Sequence, residues 1–174
     1  MHYTKSRTHA GVWCIGALLL CGVAAWAQRA PHDGVERQLI GTWRYVSVDV
    51  VSPDGHRTPL YGADPQGLAV FDGMGNYVLI TARADLPRFT AEDRTRGSAE
   101  ENQAVVRGSI AHFGRYAVNE DEHTITFHIH TSTFPNWNGA DQKRPFTISA
   151  DELRWRTPAS NGSGTAEVVL RRSS

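Results

Sequence analysis

The feature that most constrains this chain is the run over residues 39–51, Leu-Ile-Gly-Thr-Trp-Arg-Tyr-Val-Ser-Val-Asp-Val-Val, which ends on the turn Ser52-Pro53-Asp54-Gly55. Its β-branched and aromatic side chains fit a pleated, half-buried strand better than a helix. The chain beyond it repeats the pattern, short apolar runs cut by Gly, Pro, Asn and Asp. Strands are predicted at about 42–51, 67–71, 76–81, 115–119, 123–131, 144–149, 153–157 and 165–171. Asp72-Gly73-Met74-Gly75 joins the second to the third as a hairpin, its glycines supplying the positive φ that tight turns need. Eight antiparallel strands joined mostly by hairpins close into an up-and-down barrel with room for one small ligand. The fold class is therefore all-β.

Residues 82–113 interrupt the pattern as a helix-containing insertion. Ser98-Ala99-Glu100-Glu101 reads as a capping box, in which the serine caps the helix start and Glu101 reaches back to it. Val106, Ile110 and Phe113 follow at i, i+4 and i+7, which predicts a helix of three or four turns lying on an end or side of the barrel. In the last strands Leu153 and Trp155 alternate with Arg154 and Arg156, and Ala166, Val168 and Leu170 alternate with Glu167. The apolar set points inward and the charged set forms outer-face partners.

The compartment is read from the N-terminus. Lys5 and Arg7 precede an apolar stretch at 11–27, which ends in the small-x-small sequence Ala25-Trp26-Ala27. That order is a secretory signal peptide over 1–27. The stretch of 17 residues is shorter than the roughly 20 that span a bilayer. No stable membrane anchor is expected after cleavage, and the mature protein is expected in the periplasm or secreted. Cys14 and Cys21 both leave with the signal, which excludes disulfides and thiolate chemistry from the mature chain. Without Lys5 and Arg7, 16 basic residues face 18 acidic ones, a formal charge of −2 with no basic stripe. Nucleic acid is not an expected partner. Residues 28–38 then form a polar arm, and 39–174 the barrel domain.

Several of these residues carry a resemblance. Gly41-Thr42-Trp43 at the start of the first of eight strands, with a basic residue closing the last, resembles the calycin barrels, lipocalins among them. The resemblance implies a closed end where Trp43 is packed under Arg172, or under Arg171 if the strand is bulged. The chain is similar, across nearly its whole mature length, to the bacterial and fungal lipocalin-like domain family. The matching segments are 39–43, Pro59-Leu60-Tyr61-Gly62 with Asp64-Pro65 and Gly67, Pro87-Arg88-Phe89, Glu100-Glu101-Asn102, Tyr116, His128 and Phe134-Pro135-Asn136-Trp137. The last of these is the most specific.

The candidate functional residues gather around two features. In the strand at 123–131, Ile125, Phe127 and Ile129 alternate with Thr124, Thr126, His128 and His130. Either the apolar set faces inward and the histidines meet solvent, or the histidines line a polar cavity about 7 Å apart. On that second reading they could bind an anion, exchange a proton or chelate a metal. A metal would need a third ligand from His112, Glu122 or His123, none at a diagnostic spacing, so neither metal nor cofactor is expected. The second feature is 134–137, where Trp137 acts as a lid or a plug and Asn136 as an amide donor, with Tyr61 in the same role on another loop. The reading this supports is an exported protein that binds a small hydrophobic or amphipathic molecule in the barrel. One alternative is an isomerase, cyclase or lyase using His128 or His130 as acid–base. Another is an envelope interaction module with a filled barrel. Fold alone does not separate them.

Overall fold

The computed structural model describes residues 34–158 and 164–173. The signal-peptide reading of 1–27 and the first part of the 28–38 arm lie outside the described residues. Among the described residues, α1 (Val35–Leu39) leads into β1 (Gly41–Val51), β2 (Arg57–Pro59), β3 (Gln66–Phe71) and β4 (Asn76–Ala82). After α2 (Ala99–Gly108) come β5 (Ser109–Asn119), β6 (Thr124–Ser132), β7 (Asp141–Ile148), β8 (Glu152–Pro158) and β9 (Thr165–Arg172). Strands β1 and β3 to β9 pair antiparallel in sequence order, and β9 returns to β1, closing an eight-stranded barrel. The turn-rich segment after β1 also holds β2, which pairs with the far end of β1 from Asp49↔Pro59 to Val51↔Arg57.

Period-two alternation explains why the strands form and which way they face. In β6, Ile125, Phe127 and Ile129 are fully buried, which turns the alternate residues His128 and His130 outward. In β8, Leu153 and Trp155 point inward while Arg154 and Arg156 stay exposed; Arg156 reaches Glu167 of β9 at 3.1 Å. The interior is strongly aromatic. Phe71 meets Tyr116 edge-on at 5.1 Å, and Phe127 meets Tyr77 at 4.7 Å and Trp155 at 5.8 Å. Such edge-on pairs add about 0.5–1.5 kcal/mol each beyond their burial.

The end where β1 begins is closed. Trp43 is fully buried, donates from its indole N–H to the Leu39 carbonyl at 2.8 Å, and lies under the Arg172 guanidinium at 4.1 Å. Trp43 and Arg172 are direct partners across β1 and β9. Arg172 also donates to the backbone carbonyls of Gln38, Ile40 and Ala150. One side chain thus ties α1, β1 and the β7–β8 turn together.

The helix in the insertion is shorter than the sequence predicts. The capping box forms: Glu101 N donates to Ser98 Oγ at 3.2 Å, and Ser98 N to the Glu101 carboxylate at 2.8 Å. The helix ends at Gly108, however, and Ser109 already begins β5. The stripe of Val106, Ile110 and Phe113 therefore spans two elements. Val106 is exposed on the helix, Ile110 points into the barrel, and Phe113 points outward. The inward positions of β5 are Ile110, His112, Gly114 and Tyr116, and the histidine and glycine among them hide the strand's alternation. Gly114 sits at a register shift against β6, where a Cβ would lie 2.0 Å from the His128 carbonyl oxygen. Only glycine fits that approach.

Candidate functional site

The end of the barrel opposite Trp43 carries the segment after β2, the insertion with α2 and the connection from β6 to β7. Among the described residues three side chains cap it: Leu60 and Tyr61, just after β2, and Trp137 from a 3-10 turn at Pro135–Trp137. Asn138 holds that turn in place by accepting the Ser132 N–H at 2.8 Å. Beneath the cap is a cavity offering about 40 Å³ to the centres of water-sized molecules. Val48, Leu79, Ile110 and Val168 form apolar walls, and Tyr45, Tyr61, Thr81, His112 and Arg144 bring polar groups to it.

Arg144 dominates the cavity chemically. It occupies an inward position of β7, in step with Phe146, and is only 3% exposed. Its guanidinium lies 4.5 Å from the Phe127 ring centre and 5.9 Å from that of Trp155. It donates to Gln142 Oε1 at 2.5 Å, while its buried Nε has no partner among the described residues. Among the described residues no carboxylate forms an ion pair with it. Burial lowers its pKa from 12.5 to about 10, countered in part by Tyr45, Tyr77 and Tyr61. Burial also pushes the Tyr45 and Tyr77 phenols well above their ordinary range, so both stay neutral.

His112 shares a hydrogen bond of 2.8 Å between its Nδ1 and the Tyr77 hydroxyl, and meets Trp137 edge-on at 5.8 Å. Burial first, then the Arg144 charge, lowers its pKa from 6.5 to about 3, so the ring is neutral at ordinary pH. Two further buried polar atoms on cavity-lining residues, Thr81 Oγ1 and Trp155 Nε1, also lack a protein partner. Buried polar groups in folded proteins are usually satisfied, so three without a partner among the described residues, all on side chains lining one cavity, set this region apart.

β7 pairs with β8 only over Phe146↔Trp155 to Ile148↔Leu153. The Phe146 N–H donates to the His123 carbonyl, next to β6, so the alternate residue Pro145 turns its nitrogen toward β8. Proline has no N–H to offer, and the ladder stops there. The wall parts beside Arg144, and a groove on the outer surface follows the seam, bordered by Pro145, Arg154, Arg156 and Glu167.

Of the residues singled out in the sequence, the fold brings Tyr61 and Trp137 to the cavity. It places His128, His130 and Asn136 elsewhere. His128 is on the outer face, its Nδ1 2.7 Å from Asp141 of β7, and His130 is exposed beside Phe113. Asn136 is exposed on its turn. The cavity-facing reading of the two histidines is thus corrected: with Ile125, Phe127 and Ile129 inward, strand parity sends both to the outside. Among the described residues no cluster of His, Cys, Asp and Glu is arranged to hold a metal ion.

Arg144 and His112 were not predicted as ligand-binding residues, although parity held the signal. Arg144 is in step with Phe146 and Ile148, and His112 with Ile110 and Tyr116. A search of curated proteins returns no match to this chain. The family model described as a lipocalin-like domain matches residues 40–172. Barrel closure, the capped cavity at one end and this match agree, and the chain belongs to the lipocalin-like domain family, with a calycin-type ligand-binding fold.

Proposed function

We propose that the protein binds one small amphipathic molecule inside the barrel, beneath Leu60, Tyr61 and Trp137, and that it does so as an exported protein after cleavage of residues 1–27. The observation that carries the binding reading is the cavity itself, with apolar walls and buried polar atoms left unpartnered. Its size limits the ligand. Sites for drug-sized molecules typically offer about 300–1,000 Å³, whereas this cavity offers about 40 Å³. The ligand is either only a few heavy atoms across or places its polar end inside and its remainder among the capping loops. Export rests on the basic, apolar and small-residue order of the N-terminus.

The acid–base alternative built on His128 and His130 draws no support from their outward position. Interaction through the barrel wall is favoured by one observation. Leu68, Val70, Val78, Ile80 and Phe113 are exposed together on the outer faces of β3, β4 and β5. Native mass spectrometry of protein purified without denaturation distinguishes the two readings. A retained small mass, released on unfolding, is the expected result. A bare polypeptide that also leaves Trp fluorescence unchanged across a panel of small amphipaths would overturn the binding reading.

A further inference from the structure

We propose that the cavity is a carboxylate site built on Arg144, and that its ligand is a monocarboxylic acid with a short apolar body. The proposal rests on the binding reading above and specifies its chemistry. At ordinary pH a guanidinium is charged, and it presents its donors in a fixed planar fork. Here the fork is nine-tenths buried or more, and among the described residues its Nε has no partner and one Nη donates to the neutral amide of Gln142.

Among the described residues lining the cavity there is no carboxylate to supply the missing negative charge. Tyr45 is held as a neutral phenol by burial, as is the nearby Tyr77, and His112 is not an anion in any state. A buried charge without a counter-charge is costly and is normally paired. A carboxylate satisfies both needs at once, since it matches the fork in geometry and brings a single negative charge. Thr81, on the same cavity, has a hydroxyl likewise without a partner among the described residues, and this hydroxyl is the second donor of the proposed site.

The rest of the cavity chooses among anions. One positive charge neutralises a monoanion, not a phosphate dianion. The apolar walls at Val48, Leu79, Ile110 and Val168 have nothing to offer a fully hydrated inorganic ion but suit a hydrocarbon body. The Phe127 and Trp155 rings lie beside the guanidinium, their centres 4.5 and 5.9 Å from it.

The test is calorimetric titration of the full mature chain with benzoate and hexanoate, beside benzamide, hexanol, chloride and phosphate, followed also by Trp fluorescence. Both acids should bind, and the neutral analogues at least tenfold more weakly. Arg144→Met, shown to be folded by circular dichroism, should lose at least a hundredfold in acid affinity, and Arg144→Lys less. If Arg144→Met does not fold, Thr81→Val takes its place, with an expected three- to tenfold loss for the acids and none for the neutral compounds. Benzamide and hexanol binding as tightly as their acids would overturn the carboxylate assignment and leave the binding reading standing. Chloride or phosphate competing as well as benzoate would overturn it too, leaving an adventitious ion only. Silence from every compound would bring down both.

Discussion

Replacing Arg144 with methionine should make the ligand-free protein more stable. The side chain is 3% exposed and lacks a counter-charge among the described residues. Its pKa falls from 12.5 to about 10, which at 1.36 kcal/mol per pK unit means that the fold disfavours the charged form by roughly 3 kcal/mol. Against that stand the contacts of the guanidinium with Phe127 and Trp155, worth about 1–2 kcal/mol when desolvated. Methionine removes the charge while filling much of the same volume with apolar atoms. Replacement of buried ionic groups by apolar ones is commonly neutral or stabilising. The expected gain is about 1–2 kcal/mol, a rise in Tm of roughly 3–6 °C for a chain of this size. Urea unfolding at pH 7, followed by Trp fluorescence, measures it as a higher midpoint at unchanged slope. The advantage should hold below about pH 10 and shrink as pH rises further, because wild-type Arg144 then sheds its proton inside the fold and the penalty disappears. Destabilisation by 2 kcal/mol or more would refute the reasoning, because it would show that the native fold compensates the guanidinium and depends on it. Stability given up at a buried charge is the pattern expected of a binding site.

Acid should weaken the fold through His112. Its pKa is about 6.5 unfolded and about 3 folded, so the unfolded chain binds the extra proton, and stability present above pH 6.5 is lost progressively toward pH 3. Between pH 7 and 5 the loss should be roughly 2 kcal/mol; His112→Gln should flatten that slope in urea titrations, and an unchanged slope would mean the ring is not buried neutral. Gly114→Ala should cost more than about 3 kcal/mol or prevent folding, since its Cβ would meet backbone atoms of β6 at 2.0 and 2.9 Å. A variant that unfolds within 1 kcal/mol of wild type would show that the β5–β6 register can shift to make room.

The sequence by itself determined what depends on near neighbours. Alternation marks most of the strands, because a side chain's face is set by the residue two positions away. Ser98 and Glu101 announce the start of α2 because a capping box is closed within one turn. The same locality misplaced the end of α2. With His112 and Gly114 in inward positions, β5 offers no clean alternation, and a 3.6-residue stripe can be drawn through Val106, Ile110 and Phe113 although only Ile110 faces the core. In β6 parity left both faces open, and it is the burial of Ile125, Phe127 and Ile129 that turns His128 and His130 outward. Tertiary structure decided what meets inside. Tyr45 from β1, Thr81 from β4, His112 from β5 and Arg144 from β7 are far apart along the chain, and only closure of β9 onto β1 turns them toward one cavity. Whether a buried arginine has a partner depends on which side chains the other seven strands aim at it. No local pattern holds that information, because a carboxylate on any of those strands would have completed the pair, and none of the described ones does.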